Sequence, residues 1–243
     1  KISFHATTKT RFVNTKYLLL PFLVLGTVGF TTNPAFRTDK STVALWNFDE
    51  KDETTLESDS EDSITLTLPM DDSGEIVTTF APGKFGRSLY FPGTAWATSE
   101  KGVIGLESEI TVEAWIKIST DAFGKPMGIV ENMDYSNKGF RLLIRGDGKL
   151  SFMIESQGFE TGAHSADPLP TGEWLYVAGT YDGSNICVYV NGELRGKVPL
   201  VEGVIAADDM PLRVGFADAV EYMLFSGEID ALRISNIVRE IQK

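Results

Sequence analysis

Two carboxylates one residue apart, Glu228 and Asp230, come nearer to a reaction centre than anything else in this chain. The run around them reads as a β-strand. Alternate strand residues share a face, so the two side chains would stand close enough for paired acid and base chemistry. Asp230 has a second chemistry. Asp49 closes the first strand-like run and Asp230 lies in the last. If the two ends of the chain lie side by side, these carboxylates plus loop carbonyls would suit Ca²⁺, which takes roughly six to eight oxygen ligands. The competing assignment pairs Asp230 with Arg233 or Arg213, or has it cap a loop through backbone hydrogen bonds.

Ligand contact needs aromatic platforms and polar partners on exposed loops. Trp96 lies in the glycine-flanked run 93–97, Tyr135 and Phe159 in polar loops, and Asn132 close to Tyr135. These four are the candidate contacts, and the alternative for Trp96 is inward packing beneath a loop. His164 is the one histidine after residue 38, in a Gly/Ser/Asp-rich stretch, and no motif builds a triad or zinc site on it. The acidic stretch 57–62 lacks the glycine and spacing of an EF-hand loop and reads as solvated surface. Cys187, the single cysteine, excludes an internal disulfide; inside a strand it is expected to be a small buried hydrophobe.

Residues 1–38 carry five basic and no acidic side chains, and the remainder 17 basic against 34 acidic. A body that acidic repels phosphates, so nucleic acid is excluded as a partner. The apolar run 17–30 follows the basic stretch, contains Pro21 and is shorter than a spanning helix. Residues 1–38 therefore read as a helical signal segment with a short linker, an uncleaved anchor being the alternative. A secreted or cell-surface protein without membrane insertion after cleavage is expected.

Residues 39–243 hold the fold. Residues 110–118 alternate, with Ile110, Val112, Ala114, Ile116 and Ile118 on one face and Thr111, Glu113, Trp115 and Lys117 on the other. Strand-like runs recur at 41–48, 64–68, 83–93, 129–130, 140–144, 150–154, 174–181, 185–190, 212–216 and 227–234. Turn signals sit at Gly146-Asp147-Gly148, Asp182-Gly183 and Asn191-Gly192. No helix of ten or more residues is legible after residue 38. The pattern predicts an all-β, antiparallel two-sheet sandwich or jelly roll.

Five segments in a fixed order carry a resemblance: Trp46–Asp49, GKFGRSLYF at 83–91, TVEAWIKI at 111–118, WLYVAGTYDG…VYVNGE at 174–193 and FSGEIDALRISNIVRE at 225–240. Together they resemble the laminin G-like jelly-roll domains of the concanavalin A-like lectin/glucanase superfamily, from about residue 43 to 240. The resemblance implies one jelly-roll domain, and it raises the odds of a structural Ca²⁺ at Asp49 and Asp230. Laminarinase-like hydrolases of the superfamily use an E-x-D-x-x-E pattern with glutamates at both ends. Here Arg233 stands in the third position, so the second catalytic carboxylate is missing. The expectation is a non-catalytic module binding a glycan or an extracellular protein. The alternatives are a polysaccharide-acting enzyme and a structural or adhesion spacer.

Overall fold

The computed structural model describes residues 35–50, 54–61, 63–103, 105–122, 124–134, 138–156, 159–200, 205, 210–218 and 222–241. Residues 1–34 of the proposed signal segment and linker, and Tyr135, lie outside the described residues. In chain order the strands are β1 (Thr42–Trp46), β2 (Thr55–Glu57), β3 (Thr65–Thr67), β4 (Thr79–Pro82), β5 (Arg87–Pro92) and β6 (Ala97–Thr98). Then come β7 (Ile110–Ile118), β8 (Met127–Asp134), β9 (Lys138–Ile144), β10 (Lys149–Ser156), β11 (Phe159–Pro168) and β12 (Trp174–Tyr181). The last are β13 (Asn185–Val190), β14 (Glu193–Pro199), β15 (Arg213–Val214), β16 (Phe216–Asp218), β17 (Tyr222–Leu224) and β18 (Ser226–Ser235).

All sheet pairings are antiparallel, as short strands joined by tight turns require. The first sheet runs β14-β13-β12-β7-β18-β5-β4, and β1 also pairs with β18; the second runs β11-β10-β9-β8-β15-β6-β3-β2. Between them lies the main core. Trp46, Phe48, Phe91, Phe140, Phe152 and Phe225 are buried there with the inward aliphatic residues of both sheets. Each such side chain contributes about 1.5–3 kcal/mol on leaving water.

The alternation at 110–118 holds: Ile110, Val112, Ala114, Ile116 and Ile118 enter that core. The other face of the first sheet carries a smaller cluster of Phe36, Leu45, Tyr176, Ala178 and Ala231, with Trp115 and Tyr189 packed against it. The Asn191-Gly192 turn adopts positive φ at both residues, 50° and 80°, and closes the β13–β14 hairpin. Cys187 is buried, as expected of a lone strand cysteine.

Two strands depart from the sequence expectation. His164 is not in a loop; it lies within the ten-residue β11. That strand buries only Ala163 and Ser165 and is held by its pairing with β10, so its hydrophobic pattern carries no strand signal. Strand β2 lies outside every strand-like run of the sequence, meets the acidic stretch 57–62 only at Glu57, and buries Leu56 alone.

β18 organises the candidate chemistry. One edge pairs with β7 along its length; the other pairs with β5 through Ser226–Ile229 and then with β1 through Leu232–Ser235. Asp230 and Ala231 occupy the seam between those partners. The strand bulges there, with Ala231 at φ 55°, and such bulges re-aim side chains.

Candidate functional site

The seam brings Asp49 and Asp230 to one turn. Gly83 N–H donates to Gly86 O at 2.9 Å and closes it. Asp230 Oδ2 accepts from Phe85 N–H at 2.7 Å, and Asp49 Oδ1 accepts from Arg87 N–H at 2.8 Å. The Arg87 guanidinium donates to Glu50 O at 2.5 Å. Gly86 has φ 89°, and a Cβ there would collide with Asp49 Oδ1, so glycine is demanded by both conformation and space.

Asp230 is fully buried, and its Oδ1 has no hydrogen-bond partner. Burial lifts its carboxyl from the ordinary range to about 7; the N–H groups of Phe85 and Lys84 pull it down, and the charges of Asp49 and Glu228 push it up. Glu228 shares the outer face with Asp230. Its Oε1 is 2.9 Å from Lys117 Nζ, and its Oε2 accepts from Ser88 Oγ–H at 3.1 Å. Arg233 does not reach Asp230; it bonds Glu113, which also accepts from Tyr176 Oη–H at 2.5 Å. Arg213 bonds Glu131. Asp230 thus caps the 83–87 turn, one of the alternatives its position left open.

A divalent cation fits this chemistry. It would satisfy the orphaned Asp230 Oδ1 and relieve the repulsion among the neighbouring carboxylates. Among the described residues no three His, Cys, Asp or Glu side chains converge as a metal centre. The remaining ligands would have to be backbone carbonyls and water.

A second arrangement lies on the face of the second sheet that turns away from the main core. The β16–β17 hairpin crosses it, and Ala217 and Met223 pack on Leu143 there. The crossing is close: a Cβ on Gly128 would collide with the backbone of Phe216 and Ala217. The hairpin delivers two rings to Trp96. Its indole lies 4.9 Å from the Phe216 ring and 6.5 Å from that of Tyr222, and Phe216 and Tyr222 are 5.4 Å apart. Phe216 is buried and Trp96 half-buried, whereas Tyr222 is 68% exposed. The trio is a stepped ring platform, its planes tilted 43–57° from one another, with the Tyr222 ring exposed.

The polar surroundings of the platform are ordered. Arg213 stacks over Phe216 at 5.0 Å and reaches Glu131 Oε1 at 3.1 Å. Glu131 Oε2 accepts from Asp218 N–H at 2.9 Å. Arg141 bonds Glu160 and the Asp218 carbonyl.

The predicted contact residues therefore separate. Trp96 is half-buried and packs against Phe216 and Tyr222 of the β16–β17 hairpin. Phe159 is 78% exposed at the start of β11. Asn132 is not at the surface: it is fully buried, its Oδ1 accepts from Val103 N–H at 3.1 Å, and its Nδ2 donates to Met210 O at 2.8 Å. Both bonds would have to break before a ligand could use it. Asn132 instead positions the segment entering β15. As site residues, Phe216 and Tyr222 escaped the sequence reading because their hairpin strands are three residues each; Phe216 enters it only as the end of the run 212–216.

A laminin G-like family model, described as the concanavalin A-like lectin/glucanases superfamily, matches residues 91–242. Among solved structures, the chain is similar to domain 4 of AbnA, a GH43 extracellular arabinanase from Geobacillus stearothermophilus in complex with arabinotriose. Identity is 21% and TM-score 0.63, over 80% of this chain and 92% of that one. It is also similar to the receptor binding domain of botulinum neurotoxin D, at 16% identity and TM-score 0.61, over 82% of this chain and 50% of that one. The binding domain of Paraclostridial Mosquitocidal Protein 1 gives 14% and 0.62, again over 82% and 50%. The chain thus spans nearly all of the arabinanase domain but about half the length of each toxin chain. No curated protein sequence matches it. The five ordered segments, the two antiparallel sheets and the family match lead to one assignment: the chain belongs to the concanavalin A-like lectin/glucanases superfamily, as a laminin G-like jelly-roll domain.

Proposed function

We propose that this protein is a non-catalytic glycan-binding module, secreted or displayed at the cell surface. One observation carries the reading: Trp96, Phe216 and Tyr222 form a ring platform on the outer face of the second sheet, with the Tyr222 ring largely in water. Aromatic faces pack against the C–H faces of sugars, and the nearby Arg213, Glu131 and Arg141 fix the platform's geometry. Phe159 and Tyr135 are further contacts in this proposal. The similar arabinanase domain was solved with arabinotriose, and the similar botulinum neurotoxin D domain is a receptor binding domain. Those likenesses support binding as the role without naming the ligand.

The reading assigns no catalysis to Glu228. Its carboxylate is bonded to Lys117 and Ser88, and the third position of the hydrolase pattern is Arg233, spent on Glu113. Ca²⁺ at Asp49 and Asp230 is proposed as structural. It would lock the 83–87 turn, on the first sheet, and take no part in sugar contact.

A glycan array probed with the purified protein and with Trp96→Ala tests this. Binding that depends on Trp96 is expected, with no release of reducing ends from any bound polysaccharide. A blank array would favour the structural spacer, and turnover abolished by Glu228→Gln would favour the enzyme.

A further inference from the structure

The charges around the platform select among glycans. Two arginines lie next to it, and each is engaged within the protein. Arg213 is 3.1 Å from Glu131 Oε1 with its guanidinium stacked on Phe216, and Arg141 binds Glu160 and the Asp218 carbonyl. Both Glu131 oxygens are used, one by Arg213 and the other by Asp218 N–H at 2.9 Å. Asp218, at the end of β16, adds a further carboxylate, and the chain as a whole carries a formal charge of −12. Among the described residues, an anionic sugar arriving here would lose water and meet only arginines already bonded to carboxylates, against a repelling field.

Resting on the proposed glycan-binding reading, we infer that the Trp96–Phe216–Tyr222 platform takes uncharged glycans and rejects those bearing uronate, sulfate or sialate groups. Recognition comes from ring stacking and from hydrogen bonds to hydroxyls. Long-range attraction contributes nothing, so affinity is insensitive to salt.

The test is an array of neutral and anionic glycans, followed by titration of matched polymers: dextran against dextran sulfate, and hydroxyethyl against carboxymethyl cellulose. The array should light up for uncharged glycans alone. In any pair that binds, the anionic member should be weaker by about tenfold or more. The neutral affinity should be the same at low and high salt. Anionic glycans bound as tightly as neutral ones, with binding that weakens as salt is added, would overturn the charge selection and leave glycan binding standing. Silence from every neutral and anionic glycan would remove both.

Discussion

Asp49 and Asp230 grip the same turn two residues apart, Asp230 through the Phe85 N–H and Asp49 through the Arg87 N–H. The two ends of the domain are thereby tied by one short segment. The tie is strained electrostatically, because Asp230 is buried with one oxygen unpartnered and two carboxylates nearby. Asn at position 230 keeps an acceptor for Phe85 without the charge. In chelator at neutral pH or above, Asp230→Asn should therefore match or exceed the wild type, by about 1–2 kcal/mol or roughly 3–6 °C in Tm. Calcium should raise the wild-type Tm and leave the variant unchanged. Thermal melts with and without calcium check both parts. A calcium-free variant that melts well below the wild type, or a wild type indifferent to calcium, contradicts this account.

The same turn needs glycine at 86. Gly86→Ala forces a side chain into positive φ and onto Asp49 Oδ1. A loss of about 2 kcal/mol is expected in urea unfolding. Asp49→Ala made together with it should recover part of the loss by clearing the space.

Glu113 sits 1% exposed between Arg233 and Tyr176. Burial and the Glu113 carboxylate push the Tyr176 hydroxyl far above the usual tyrosine range. Arg233 also donates to Arg37 O at 3.0 Å and lies over Phe36 at 4.6 Å, so the network fastens the segment before β1 to the sheet. Glu113→Ala leaves the buried Arg233 guanidinium without its carboxylate, and should cost about 3–5 kcal/mol. Tyr176→Phe removes one hydrogen bond and should cost about 1–2 kcal/mol. Denaturant midpoints of the two variants give the ranking.

What was legible in the sequence was whatever the core dictates. The strict alternation at 110–118 and the Asn191-Gly192 turn read directly, because burial and positive φ restrict residue choice there. That β1 lies beside β18 was also legible, through the jelly-roll resemblance. β11 was hidden because an edge strand with two polar faces has no period to read. Asn132 looked like a loop residue; its burial depends on Val103 and Met210, which are distant in sequence. The platform was half visible: Trp96 stood out, but Phe216 and Tyr222 reach it only because Gly128 lets the hairpin lie flat on the sheet. Glu113 gave no warning, since a charged residue on a strand's outer face ordinarily faces water.

His164 supplies a pH dependence. Burial, and next the Arg145 charge, hold its pKa below 6.5; its Nδ1 is 2.8 Å from Ser151 Oγ. Between the folded pKa and 6.5 the unfolded chain binds a proton that the folded chain does not. Its contribution to stability is thus full above 6.5 and declines as pH falls through that window. Urea unfolding at about pH 5 and pH 8 should show part of the acid-side loss disappearing in His164→Gln. An unaltered pH profile in that variant would assign the loss to other groups.

Ring stacking at the platform is the central claim, and isothermal titration of an array-identified glycan against Tyr222→Ala tests it most directly. Tyr222 is 68% exposed, so its removal should leave Tm unchanged. Affinity should fall by about tenfold or more, as expected for an anchoring aromatic, while Glu228→Gln binds like the wild type. A Tyr222→Ala variant that binds the glycan with wild-type affinity would contradict the account.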